Sequence, residues 1–129
     1  MTDDPHPVDG QVVLLAGAKA SVPLERIPDL LERVQADLGP RLDAVRRRFE
    51  CVHEDGERAV FLVPDDHWRT VGDRLDFGRR ERDAVRRAHE EQLLRLGRRE
   101  DRREEFASAL ELRTAVVVGR RDGSDPSER

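Results

Sequence analysis

The stretch Glu50 to Pro64 reads ECVHEDGERAVFLVP. Asp55-Gly56 sits in it between two runs of strand-forming residues. That dipeptide is a hairpin signal, because a type I′ turn needs positive φ at both central positions. Strands are therefore expected at about 50–53 and 58–63, with Pro64 ending the second. A two-residue turn sets His53 opposite Arg58, Cys51 opposite Val60 and Phe49 opposite Leu62. Cross-strand partners share a face. Phe49, Cys51, Val60 and Leu62 then form an apolar, core-directed face. Glu50, Val52, Glu54, Glu57, Ala59 and Phe61 form the other. On this reading Cys51 is a small buried hydrophobe.

Helical patterns flank the hairpin. Ile27, Leu30, Leu31, Val34 and Leu38 recur at i, i+3, i+4 and i+7, which predicts a helix over 28–38 with one buried stripe. Gly39 and Pro40 stop it, and Pro40 is placed to open a helix over 40–49. Leu42, Val45 and Phe49 face inward there, while Arg41, Arg47 and Arg48 face out. Upstream, QVVLLAGAKA (11–20) is apolar on every side, so periodicity does not separate helix from strand; its Ala and Leu favour helix. After the hairpin, Trp68, Val71 and Leu75 share one helix face. A longer helix over about 79–96 buries Val85, Ala88, Leu93 and Leu96. Gly97 reads as its C-cap, and Asp101 with Glu104 as a capping box for a helix carrying Phe106 and Leu110. A third short strand fits the β-branched residues at 114–118. The expected class is α+β: one helix-rich domain over 10–119, between a disordered N-terminal arm (1–9) and a disordered polar tail (120–129).

Composition narrows the function. The 129 residues suffice for one domain with one core. Charged residues make up 40% of the chain against 36% hydrophobic, so that core is lean. No apolar run approaches the ~20 residues that span a bilayer. The acidic, Pro-rich start MTDDPHPVDG is unlike a signal peptide. A single Cys excludes an internal disulfide framework and fits a reducing cytosol. Of the 24 basic residues all but Lys19 are arginine, set against 28 carboxylates. Most arginines should therefore sit in surface ion pairs. RRERDAVRR and GRREDRREE alternate in sign, as solvated helix faces do.

Catalytic and metal-binding patterns are missing. HEEQL (89–93) starts like a zincin helix but has Leu93 where a second histidine ligand belongs. His6, His53, His67 and His89 show no ligand spacing. LAGAKAS lacks phosphate-loop spacing, and there is no G-x-S-x-G elbow. No catalytic, cofactor-binding or metal residue is assigned, and no cofactor or small molecule is implied.

Two resemblances can be stated. The scarcity of Lys, with abundant Asp, Glu, Val and Ala, resembles small proteins of halophilic archaea. That likeness is compositional, covers the whole chain and carries no activity. In addition, SVPLERIPDLLERVQADLGPRLDAVRRRFECVHEDGERAVFL, with the apolar segment before it, resembles a winged helix-turn-helix domain over 11–63. The resemblance implies a winged-helix-like arrangement that places Arg41, Arg47 and Arg48 against DNA. The hairpin tip departs from that pattern, because Glu54, Asp55 and Glu57 stand where phosphates would lie.

The leading expectation is a non-enzymatic, cytoplasmic protein-interaction or regulatory module with a protein partner or self-association, and no membrane contact. One alternative is a winged-helix-type DNA-binding transcription regulator using Arg41, Arg47 and Arg48. Another is a small enzyme with an unrecognised site, which would bring His53, His67 or His89 beside Asp65 or Asp66.

Overall fold

The computed structural model describes residues 8–12 and 22–120. The expected α+β class holds: among the described residues five helices pack around a three-stranded antiparallel sheet. After a 3₁₀ turn at Leu24–Arg26 come α1 (Ile27–Leu38), a second 3₁₀ turn (Gly39–Arg41) and α2 (Leu42–Arg48). The hairpin follows as β1 (Glu50–Glu54) and β2 (Arg58–Val63). Then come α3 (His67–Leu75), α4 (Arg79–Arg99), α5 (Arg103–Ala109) and β3 (Thr114–Gly119). The strand order is β1-β2-β3. No helix among the described residues is long and apolar enough to cross a membrane. Of the helix expected over 11–20, residues 11 and 12 are helical and the rest lies outside the described residues.

β2 is the central strand, and every one of its residues is buried. Two apolar layers explain this. Ala59, Phe61 and Val63 join Val116 and Val118 on one sheet face, packed with Leu30, Leu31, Val34, Trp68 and Val85. Val60 and Leu62 join Ala115 and Val117 on the other, packed with Leu93, Leu96 and Phe106. The expectation of one core face and one outer face is thus corrected: AVFLV is an unbroken apolar run, the pattern of a strand covered on both sides.

The hairpin register also departs from expectation. Glu54 pairs with Ala59, His53 with Val60, Cys51 with Phe61 and Glu50 with Leu62. Asp55 is the cause. Its Oδ1 accepts the Glu57 and Arg58 N–H groups at 2.8 and 3.0 Å, and its own N–H donates to the Arg58 carbonyl at 2.9 Å. An Asx-type turn therefore centres on Gly56-Glu57. A register shift between Cys51 and His53 absorbs one residue, as a β-bulge does. Together these turn Cys51 outward, and it is exposed rather than buried.

β3 is an edge strand whose outward backbone groups are met by side chains. Trp68 Nε1–H donates to the Ala115 carbonyl at 3.2 Å. The Val117 N–H donates to His89 Nδ1 at 2.8 Å. Gln35 donates to the Val117 carbonyl at 2.6 Å and accepts the Gly119 N–H at 2.8 Å. One residue each from α1, α3 and α4 thus closes the edge to strand addition.

The helix ends contain two further corrections. Gly97 is a buried residue inside α4. A Cβ there would stand 2.7 Å from Phe106 Cδ2 and 3.0 Å from Arg103 Cα, so glycine is what lets α5 pack this closely. The actual stop is Asp101, left-handed at φ 61°. The Arg102 N–H bonds back to the Gly97 carbonyl at 2.7 Å, a Schellman-type closure. Arg102, not Asp101, takes the N-cap position of α5, and no side chain caps that helix.

Of the arm expected over 1–9, Val8 is buried and Asp9 is bound to α4. Of the tail expected over 120–129, Arg120 holds the hairpin loop through the Glu57 and Asp55 carbonyls.

Candidate functional site

Pro64 ends β2 and Asp65-Asp66 lead into α3, with Asp66 in the N-cap position. α3 closes on Asp76, left-handed at φ 58°, and the Phe77 N–H bonds back to the Gly72 carbonyl. This tight turn starts α4 at Arg79. Glu81 accepts the Gly78 N–H at 2.8 Å and pairs with Arg26 at 2.7 Å. The Gly78 bond, with Arg26, holds the Glu81 carboxyl below its ordinary value although partial burial opposes this. A groove of about 350 Å³ results between the two helices. Asp65, Asp66, Trp68 and Arg69 line one side; Arg79, Arg80, Arg82, Asp83 and Arg86 line the other. Gly72 shapes its wall. A Cβ there would stand 3.1 Å from Arg82 Cδ, so the missing side chain lets the Arg82 stem lie across α3.

The charges in the groove are unevenly matched. Asp83 bonds Arg86 at 2.5 Å and Arg87 at 2.8 Å, and Arg86 also reaches Glu90 at 3.2 Å. Burial pushes the Asp83 carboxyl up, but its bonds to Arg87 and Arg86 outweigh this and its pKa falls below the ordinary value. Both Asp83 oxygens are therefore taken. Arg69, Arg79, Arg80 and Arg82 make no ion pair among the described residues. A majority of the described arginines are paired, as expected. Arg33, Arg47, Arg48, Arg98 and Arg103 also lack an ion pair among the described residues, and what sets these four apart is that they line one concavity. Three of the four lie in the first turn of α4, where the helix dipole adds positive potential.

The histidines do not converge on Asp65 or Asp66. His53 is held between two carboxylates, Nε2 2.7 Å from Asp55 and Nδ1 2.7 Å from Glu100. His67 lies edge-on to Phe49 and to Trp68, and His89 packs against Trp68 from β3's edge. His67 Nε2 is buried without a hydrogen-bond partner. Burial foremost, then the charges of Arg74 and Arg48, pushes its pKa down. The Cys51 thiol faces the His53 carbonyl at 3.5 Å and Glu54 at 3.9 Å, not the His53 ring. Among the described residues no group of three His, Cys, Asp or Glu side chains could hold a metal ion.

A second cationic cluster is filled from within. Asp9 Oδ2 accepts from Arg95 and Arg99 at 3.0 Å each, and Arg58 stands 3.7 Å from its other oxygen. Arg95 thus turns to Asp9.

The three arginines singled out in sequence lie apart from the groove. Arg41, in the turn before α2, reaches Asp37 at 3.5 Å. Arg48 lies over the Phe49 ring, and Arg47 is exposed. Arg46 between them is committed to Glu54 at 2.7 Å. In the sequence, Arg79, Arg80 and Arg82 belong to the sign-alternating segment expected to be a solvated face, and Arg69 carries no signal of its own. One signal was available: Arg82 has no acidic residue three or four positions away in its own helix.

No curated protein and no solved structure matches this chain. A family model described as a domain of unknown function, DUF8048, matches residues 6–120, which take in all of the described residues. The chain belongs to that family.

Proposed function

We propose that this protein is a non-enzymatic, cytoplasmic interaction module that recognises an anionic side chain of a protein partner in the groove between α3 and α4. The observation that carries this reading is the set of four unpaired guanidinium groups, Arg69, Arg79, Arg80 and Arg82, around one concavity. A guanidinium presents a planar fork of donors that matches an oxyanion. Asp65 and Asp66 at the opposite wall disfavour a run of carboxylates and favour a ligand with a cationic neighbour. DNA is the weaker reading. Of the three arginines that reading needs, Arg41 is committed to Asp37, and the hairpin is built into the sheet with an acidic tip. Self-association through the β3 edge of the sheet is disfavoured by the side chains that close it.

The test titrates the full chain with a peptide carrying one Glu beside one Arg, and with its Gln counterpart, at rising salt. Light scattering on the same samples follows self-association. Binding of the Glu peptide that weakens with salt and is lost in Arg79→Gln/Arg80→Gln supports the reading. A strict monomer indifferent to both peptides overturns it.

A further inference from the structure

The groove's charge points to a more particular ligand. Five arginines and three aspartates line it, so the lining carries two positive charges in excess. A carboxylate supplies one negative charge and two oxygens. A phosphomonoester supplies about −1.5 to −2 charge at pH 7 and three strong acceptor oxygens. Four free forks are more than one carboxylate engages, and they suit a tetrahedral dianion. The volume, about 350 Å³, lies at the small end of ligand sites and holds one phosphorylated side chain, not a duplex backbone. Asp65 and Asp66 add selectivity, because they repel a polyanion but accept hydrogen bonds from a donor next to the phosphate.

We propose that the α3–α4 groove is a phosphomonoester site that takes a phosphorylated serine or threonine of a peptide with a basic neighbour. This rests on the reading of the groove as the interaction surface. Arg79, Arg80 and Arg82 hold the dianion, Arg69 closes over it from α3, and Asp65 or Asp66 accepts from the neighbouring Arg or Lys of the peptide. Arg86 stays with Asp83 and Glu90 and stiffens the floor. Gly72 keeps the Arg82 stem in place.

Calorimetric titration of the full chain tests this with peptides of one sequence, Arg-X-Ser, carrying phosphoserine, Glu or unmodified Ser. Trp68, the single tryptophan, lines the groove and gives an independent fluorescence signal. Vesicles containing phosphatidic acid form a separate arm. The phosphopeptide should bind at least about tenfold more tightly than the Glu peptide, in line with the doubled charge. Arg79→Gln/Arg80→Gln, at exposed positions, should remove that preference, and Asp65→Asn/Asp66→Asn should remove the benefit of the basic neighbour. Equal affinity for the phosphoserine and Glu peptides overturns the phosphate assignment and leaves the interaction reading standing. No binding of either overturns both. Tighter binding to the vesicles than to the phosphopeptide overturns the peptide as ligand, and an unchanged phosphopeptide affinity in the arginine variant overturns the placement.

Discussion

Gln35 closes the edge of β3 from α1, and its replacement by Leu measures what that closure contributes. The side chain makes two bonds, 2.6 Å to the Val117 carbonyl and 2.8 Å from the Gly119 N–H. Leu matches Gln in helix propensity, so α1 itself is not perturbed. Each lost bond costs about 0.5–1.5 kcal/mol net. Because Gln35 is half-buried, water reaches the site in part, which keeps the cost below that of a fully buried orphan. Gln35→Leu should therefore destabilise the chain by about 1–2.5 kcal/mol. With a urea slope of about 1–3 kcal/mol per M, the midpoint falls by roughly 0.3–2.5 M. Hydrogen exchange at the Gly119 amide should accelerate in step, since that N–H loses its acceptor. An exposed strand edge also templates pairing, so association that grows with concentration is expected by light scattering. A variant with the wild-type urea midpoint and unchanged Gly119 exchange would refute the edge argument.

Further outcomes follow from the packing and the charges. Gly97→Ala gains up to about 1 kcal/mol of helix propensity but drives a methyl into the Arg103 backbone and Phe106, an overpacking worth about 1–3 kcal/mol. A net loss of stability is expected, and a rise in melting temperature would sink the close-approach account. His67 has a folded-state pKa below its ordinary 6.5. The unfolded chain therefore takes up its proton first as pH falls. The stability contributed by the neutral ring is whole above pH 6.5 and is lost as pH drops from there toward the folded value. His67→Leu should narrow the fall in urea midpoint between pH 7.5 and 5.5, and equal falls in both proteins would contradict the sign. His53→Ala leaves Asp55 and Glu100 facing one another without the ring between them. Chemical denaturation at pH 6 should show a loss of about 1–3 kcal/mol, whereas an unchanged midpoint would mean that the bridge contributes nothing. Cys51, being exposed, should react with a thiol reagent in the native state without prior unfolding, and protection until unfolding would restore the buried placement.

Local patterns in the amino-acid sequence specify the described helices from residue 27 on and the existence of the hairpin. The stripes at Ile27 to Leu38 and Val85 to Leu96 have no other use than one buried helix face, and the β-branched run at 114–118 is short and extended by its chemistry. These are local patterns, carried by residues within one or two turns of each other. Register and exposure at the hairpin were not local. The Asp55 side chain competes with the turn that Asp55-Gly56 suggests, and β3, over fifty residues away, supplies the second partner that buries both faces of β2. Caps misled for the same reason: Gly97 is glycine because α5 approaches it, a fact written in Phe106 and Arg103 and not in its own helix. The groove was the least legible part. Every arginine carries the same charge in the sequence, and the fold decides which find a carboxylate. Asp83 is spent on Arg86 and Arg87, Asp9 is spent on Arg95 and Arg99, and α3 brings Arg69 to the arginines of α4 that are left. Ion pairing depends on distances of a few ångströms between elements far apart in the chain, and those distances exist only once the helices have packed.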